Sequence, residues 1–207
     1  MKPNIDYTLY LVTDRELMVA DSIEDCVEQA ILGGVTVVQL REKAVSSRKF
    51  YHTAMRLRKI TTRLKVPLII NDRVDIALAV DADGLHIGQN DLPYNAARPI
   101  IGQDKIIGVS VCNLAEATDA VEFGADYLGV GAMFATGTKA DAKLTSMDEL
   151  RRIRQKIDIP IVVIGGINKE TAPLFRETGI DGIAVVSAIF GKNDAAGAAQ
   201  ELKSLFQ

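Results

Sequence analysis

Short apolar runs return along this chain at a near-constant interval, and that interval limits the folds open to it. They occupy residues 8–13, 35–40, 67–71, 84–87, 106–110, 127–130, 161–165 and 183–187. Each is rich in Val, Ile and Leu, as strands buried on both faces are. Their ends fall about 25 residues apart, the length of one strand, one helix and two short connections. Eight such units call for a (β/α)8 TIM barrel, an α/β fold that needs roughly 200 residues at its smallest. The chain has 207 residues, so 1–207 is expected to form one barrel domain. A doubly wound open sheet is the runner-up, but no G-x-G-x-x-G follows the first run.

The stretches between the runs carry helix signals. Ser22-Ile-Glu-Asp25, Asn113-Leu-Ala-Glu116 and Ser146-Met-Asp-Glu149 each set a capping oxygen three residues before a carboxylate. Asn168 suits the start of another helix. Gly33-Gly34, Gly124 and Gly179 stand where left-handed stop residues are wanted. Residues 46–65 read as a surface helix with one buried side, carrying Phe50, Met55, Leu57, Ile60 and Leu64 among basic residues. Leu150, Ile153 and Ile157 form a second apolar stripe.

A barrel of this kind works at the C-terminal ends of its strands, and the unusual polar residues of this chain cluster there. The segment VTVVQLREK, residues 35–43, passes from a buried run straight into Gln39, Arg41, Glu42 and Lys43. Two cations on a rigid strand end suit a polyanion, with Glu42 orienting one of them; the plain alternative is a solvated charged loop. Asp72 and Asp91 follow the third and fourth runs, which should be neighbours. They could share one Mg2+, act as an acid/base pair, or cap two helices. The long loop 132–145 contains Thr136, Gly137, Thr138 and Lys139, which suit an anion and a lid; it could also be an ordinary surface loop. Gly165-Gly166 and Val186-Ser187 end the last two runs, where such barrels often cradle a phosphate through backbone N–H groups.

Other residues carry less. His52 is expected to be exposed on its helix, and His86 to be a hydrogen-bonded structural histidine. Cys112 has no activating partner in the sequence and is not read as a nucleophile. Cys26 and Cys112 make no metal spacing and are expected to be reduced thiols of a cytoplasmic protein. The net charge of −3 leaves no electrostatic footprint for nucleic acid. No apolar run reaches the ~18 residues of a membrane span, and the N-terminus lacks a signal-peptide core. The chain admits a homo-oligomer without requiring one. Two phosphate-type sites, a metal pair and no nucleophile–base dyad describe a site that works by positioning and charge stabilisation.

VTVVQLREK, PLIIND, DGLHIGQND, GVS, the TGTK loop, IGGI and VVSAI, taken together and in this order, resemble the thiamine-phosphate synthase family from about Tyr10 to Ile189. The resemblance implies a transferase of thiamine biosynthesis that joins a pyrimidine diphosphate to a (carboxy)thiazole phosphate, releases pyrophosphate and uses Mg2+. By matching positions, Gln39, Leu40, Arg41, Glu42, Lys43 and Asn71 would contact the pyrimidine diphosphate, with Ser110 and Lys139 on its diphosphate side. Arg41, Lys43, Ser110 and Lys139 would carry the catalysis. Asp72 and Asp91 would hold Mg2+, and Thr136, Gly137, Thr138, Gly166, Val186 and Ser187 the thiazole phosphate. The chain departs from the family at Ala135, where a proline is usual. A related tautomerase branch tends to carry histidine where Cys112 stands. That tautomerase, a phosphosugar isomerase and a non-catalytic phosphate-ester binder are the competing functions.

Overall fold

The computed structural model describes Lys2, residues 4–137 and residues 143–207. Every apolar run contains a strand. In chain order these are β1 (Leu9–Val12), β2 (Val37–Leu40), β3 (Leu68–Asn71), β4 (Gly84–Ile87), β5 (Ile106–Val111), β6 (Tyr127–Val130), β7 (Ile161–Val163) and β8 (Gly182–Val185). All pairings are parallel, each strand beside the next, and β1 pairs with β8 to close the barrel. The fold is the expected (β/α)8 TIM barrel.

The helices are α1 (Ile23–Leu32), α2 (Ser47–Leu64), α3 (Val74–Ala79), α4 (Tyr94–Ile101), α5 (Leu114–Glu122), α6 (Met147–Lys156), α7 (Ser187–Phe190) and α8 (Ala195–Phe206). The side chains of Ser22, Asn113 and Ser146 accept the N–H three residues on, as their spacing predicts. Lys65 ends α2 in the left-handed region, with φ 57°. Among the described residues no helix is long and apolar enough to cross a membrane.

Strand residues alternate between two cores, which is why the runs are apolar throughout. Leu9, Leu11, Val38, Leu40, Leu68 and Ile70 pack outward under the helices. Tyr10, Val12, Val37, Ile69, Tyr127 and Val162 fill the barrel.

The last quarter of the barrel departs from expectation. β7 and β8 stop two residues short of their apolar runs. Gly165 and Gly166 turn the backbone to φ 96° and 66°, and Ser187 already opens α7. Asn168 does not cap an α-helix. Its Oδ1 accepts the N–H of Glu170 and of Thr171 in a tight turn, and Pro173 follows within a single 3-10 segment, Ala172–Phe175. The vacant helix position is covered from afar, by α8 packed against this segment and α1. Arg176 donates to the carbonyls of Leu205 and Ser204 at the end of α8, where a cation also suits the helix dipole.

At the N-terminal mouth one device repeats. Asp83, Asp126 and Asp181 each stand directly before an even-numbered strand. Each carboxylate accepts a backbone N–H from the preceding odd strand, those of Leu68, Ile107 and Ile161, all at 2.8 Å. Each also pairs with an arginine of the helix that leads into that odd strand: Arg58 of α2 at 2.6 Å, Arg98 of α4 at 2.6 Å and Arg154 of α6 at 3.2 Å. Before β2 the place is taken by Thr36, whose Oγ1 accepts Leu9 N–H at 3.0 Å.

Candidate active site

The opposite mouth holds a cavity of about 580 Å³, within the usual range for small-molecule sites. Gln39, Arg41, Lys43, Asn71, Asp72 and Asp91 line one side of it, and Thr136, Gly166, Val186 and Ser187 the other, with Ser110 between. The barrel thus brings most of the sequence candidates together, from seven different strand ends or the loops after them.

Three described candidates are placed otherwise. Leu40 is fully buried and faces outward into the helix layer, so only its backbone is near the mouth. Glu42 does not orient Arg41 or Lys43. It forms a two-point ion pair with Arg15 and lines an adjoining cleft instead. Gly137 is exposed and outside the cavity lining. Thr138 and Lys139 lie outside the described residues.

The cations have fixed partners. Arg41 Nη1 is 2.9 Å from Asp14 Oδ2, and its backbone N–H donates to Thr13 Oγ1 at 3.0 Å. Asp14 and Thr13 follow β1, so the strand beside β2 aims the guanidinium. Their signal in the sequence was a Thr-Asp pair ending an apolar run. Lys43 Nζ meets Asp72 Oδ2 at 2.5 Å. Asp72 sits at φ 62°, in the left-handed region that few non-glycine residues occupy. Its N–H donates to the carbonyl of His86 at 2.8 Å, tying the end of β3 to β4.

Asp91 Oδ2 accepts Gly88 N–H at 2.7 Å. Burial raises the Asp91 carboxyl above the ordinary aspartate range, and a hydrogen bond and charge repulsion from Asp72 raise it further. Two crowded carboxylates of this kind gain from a shared cation. Among the described residues no third His, Cys, Asp or Glu completes a metal cluster. Two hard oxygen donors with the rest left to phosphate and water is the pattern that suits Mg2+.

The far side is built from glycine and clamped loop. A Cβ on Gly166 would stand 2.7 Å from Phe134 Cβ, and one on Gly165 2.5 Å from Ala132 Cβ. Both glycines therefore let the loop after β6 pack against the end of β7. Met133 and Phe134 donate to the carbonyls of Ile164 and Gly165. Ala132 N–H donates to the Lys143 carbonyl and the Ala132 carbonyl accepts the Thr145 N–H, which closes the base of the long loop.

The cavity floor is polar, and sequence reasoning largely missed it. Gln39 Nε2 donates to Tyr10 Oη at 2.8 Å, Tyr10 and Tyr127 hydroxyls are 2.7 Å apart, and His86 Nδ1 is 2.8 Å from Tyr127 Oη. His86 Nε2 is 2.8 Å from Ser110 Oγ. Burial holds the His86 imidazole down to about 4, so it is neutral. The hydrogen-bonded histidine expected from the sequence is therefore present, and it faces the barrel interior. Cys112 is not activated: burial and the adjacent Glu116 raise its thiol. His52 is exposed, as expected.

Comparisons with known proteins show the family. A family model described as thiamine monophosphate synthase matches residues 9–189. The chain is 60% identical to thiamine-phosphate synthase of Clostridium beijerinckii, over 100% of this chain and 99% of that protein. It is 59% identical to the Clostridium botulinum protein of the same name, covering 100% and 97%. A thiamine phosphate pyrophosphorylase structure from Pyrococcus furiosus superposes with a TM-score of 0.90 at 41% identity, covering 97% of this chain and 96% of that one. The family match begins on the first barrel strand and ends in the short helix after the last, so the chain belongs to the thiamine-phosphate synthase family of transferases.

Proposed function

We propose that this chain joins a pyrimidine diphosphate to a thiazole phosphate by dissociative substitution with Mg2+, giving thiamine phosphate and pyrophosphate. The observation that carries the reading is the gathering of Arg41, Lys43, Asp72 and Asp91 at one wall of one cavity. The bond between the pyrimidine methylene carbon and the diphosphate breaks, and the diphosphate leaves with the electron pair. The aminopyrimidine ring stabilises the methylene cation, and the thiazole nitrogen lone pair forms the new C–N bond. The protein needs no nucleophile of its own, which fits an unactivated Cys112.

Arg41 and Lys43 stabilise the charge that develops on the leaving group, Ser110 meets the diphosphate beside them, and Asn71 and Gln39 hold the pyrimidine side. Lys139 is assigned to the diphosphate from the family pattern alone. The glycine-lined wall with Thr136, Gly166, Val186 and Ser187 receives the thiazole phosphate, so the two reactants meet in line across the cavity. Asp72 and Asp91 would hold Mg2+, which supplies charge neutralisation for the diphosphate. We read residues 1–207 as one functional domain of a cytoplasmic enzyme with no nucleic-acid or membrane partner.

Incubation with both substrates and Mg2+ is expected to yield thiamine phosphate and pyrophosphate in equal amounts. Saturable binding without product would instead mark a ligand sensor. Turnover of the thiazole phosphate alone, without Mg2+, would mark an isomerase. Asp91→Ala is expected to shift the Mg2+ titration to higher concentration, and an unchanged titration would remove Asp91 from the metal shell.

A further inference from the structure

Five side chains under the cavity form one continuous hydrogen-bonded row, and proton counting gives it a direction. A phenol has one proton to donate. Tyr10 Oη receives an N–H from Gln39 Nε2, so its own proton goes to its other partner, Tyr127 Oη. Tyr127, already an acceptor, must then donate to His86 Nδ1. A neutral imidazole that accepts at Nδ1 carries its hydrogen at Nε2, which donates to Ser110 Oγ. The Ser110 hydroxyl hydrogen is left for the cavity that Ser110 lines.

The row is built into the barrel. Gln39, Tyr10, Tyr127 and His86 are all buried. Gly108 pairs in register with both His86 and Tyr127, and a Cβ there would fall 2.1 Å from Tyr127 Cζ. Gly129 pairs with Ser110, and its Cβ would meet His86 Cε1 at 3.0 Å. Two strand glycines thus clear the space in which the rings meet.

We propose that Tyr10, Tyr127 and His86 are positioning residues, a one-way hydrogen-bond chain that presents the Ser110 hydroxyl to the substrate as a donor. The identity of the acceptor, a diphosphate oxygen, rests on the function proposed above; the direction of the chain does not. The opposite direction would protonate Nδ1, turn the Ser110 proton toward His86 and offer only lone pairs to an anion that itself only accepts.

Nitrogen-15 NMR of the unmodified protein at neutral pH tests the direction without any substrate. The chain has two histidines, and His86→Gln identifies their signals. The expected result is a His86 tautomer with hydrogen on Nε2 and a bare, hydrogen-bonded Nδ1. A hydrogen on Nδ1 overturns the proposal and leaves the proposed reaction standing. Kinetics tests the consequence: Tyr127→Phe is expected to lower kcat ~10- to 100-fold with little change in KM for the pyrimidine diphosphate. In a Ser110→Ala background the same substitution should cost less than about threefold, because the two act through one hydroxyl. A Tyr127→Phe enzyme as fast as the parent, or a full loss that persists without Ser110, would overturn the proposal.

Discussion

Arg41 and Lys43 follow directly on an apolar strand, and each is met by a carboxylate from a neighbouring strand end, Asp14 or Asp72. Their charge is thereby aimed before any ligand arrives, the condition under which a charge stabiliser contributes most. Lys43→Ala is expected to lower kcat by ~10²–10³, or about 3 kcal/mol of transition-state stabilisation. Steady-state rates within a few fold of the parent enzyme would count against its role. The cations were legible because charge is conspicuous after VTVVQL, whereas Asp14 was not, since its partner lies on another strand. His86 makes a different prediction. Its imidazole is held at about 4 by burial, against an ordinary 6.5. As pH falls below about 6.5 the unfolded chain takes up a proton that the folded chain refuses. Stability should therefore drop by ~1.4 kcal/mol per pH unit, reaching about 3 kcal/mol near pH 4 and levelling off below it. Denaturant midpoints between pH 7 and pH 4 should show this slope in the parent and lack it in His86→Gln; parallel curves would refute it.

At the scale of elements, local signals were read well and borrowed structure was not. Ser22, Asn113 and Ser146 cap their helices because an oxygen three residues before the N–H it accepts needs nothing from the rest of the fold. The connection from β7 to β8 lacks the helix that Asn168 predicts because its cover, α8, comes from the end of the chain. The double glycine after β7 suits a phosphate cradle by its sequence, and the packing of Phe134 against it is visible only in the fold. Gly166→Ala must hold φ near 66° and push a methyl group to 2.7 Å from Phe134 Cβ. It is expected to cost ~1–3 kcal/mol of stability and to raise KM for the thiazole phosphate more than it lowers kcat. Gly102→Ala is the control. It has φ 87° and nothing within 4 Å of its Cβ, so its strain should lower stability and leave KM unchanged.

Over the whole molecule the two mouths of the barrel carry separate duties, as in this fold generally. The eightfold spacing made the closure legible, and with it the mouth at which function would collect. The floor network was hidden because Tyr10 and Tyr127, 117 positions apart, meet only when β1 and β6 face each other across a closed barrel. The Asp–Arg clamps at the N-terminal mouth were hidden for a similar reason, since each joins two strands and a helix. Their energies should follow burial. Asp126 and Arg98 have side chains only 14% and 9% exposed, whereas Asp181 is 43% exposed. Asp126→Ala strands a buried guanidinium and the N–H of Ile107, and is expected to cost about 3–5 kcal/mol. Asp181→Ala faces more solvent and should cost nearer ~1 kcal/mol. Urea unfolding measures both, and equal losses would contradict the ranking. At a temperature where each variant is folded, kcat should stay within about twofold of the parent, since a loss that leaves the opposite mouth packed leaves the reacting geometry intact. A clamp variant that remained folded yet lost turnover would mean that the two ends of the barrel are coupled through its interior rows.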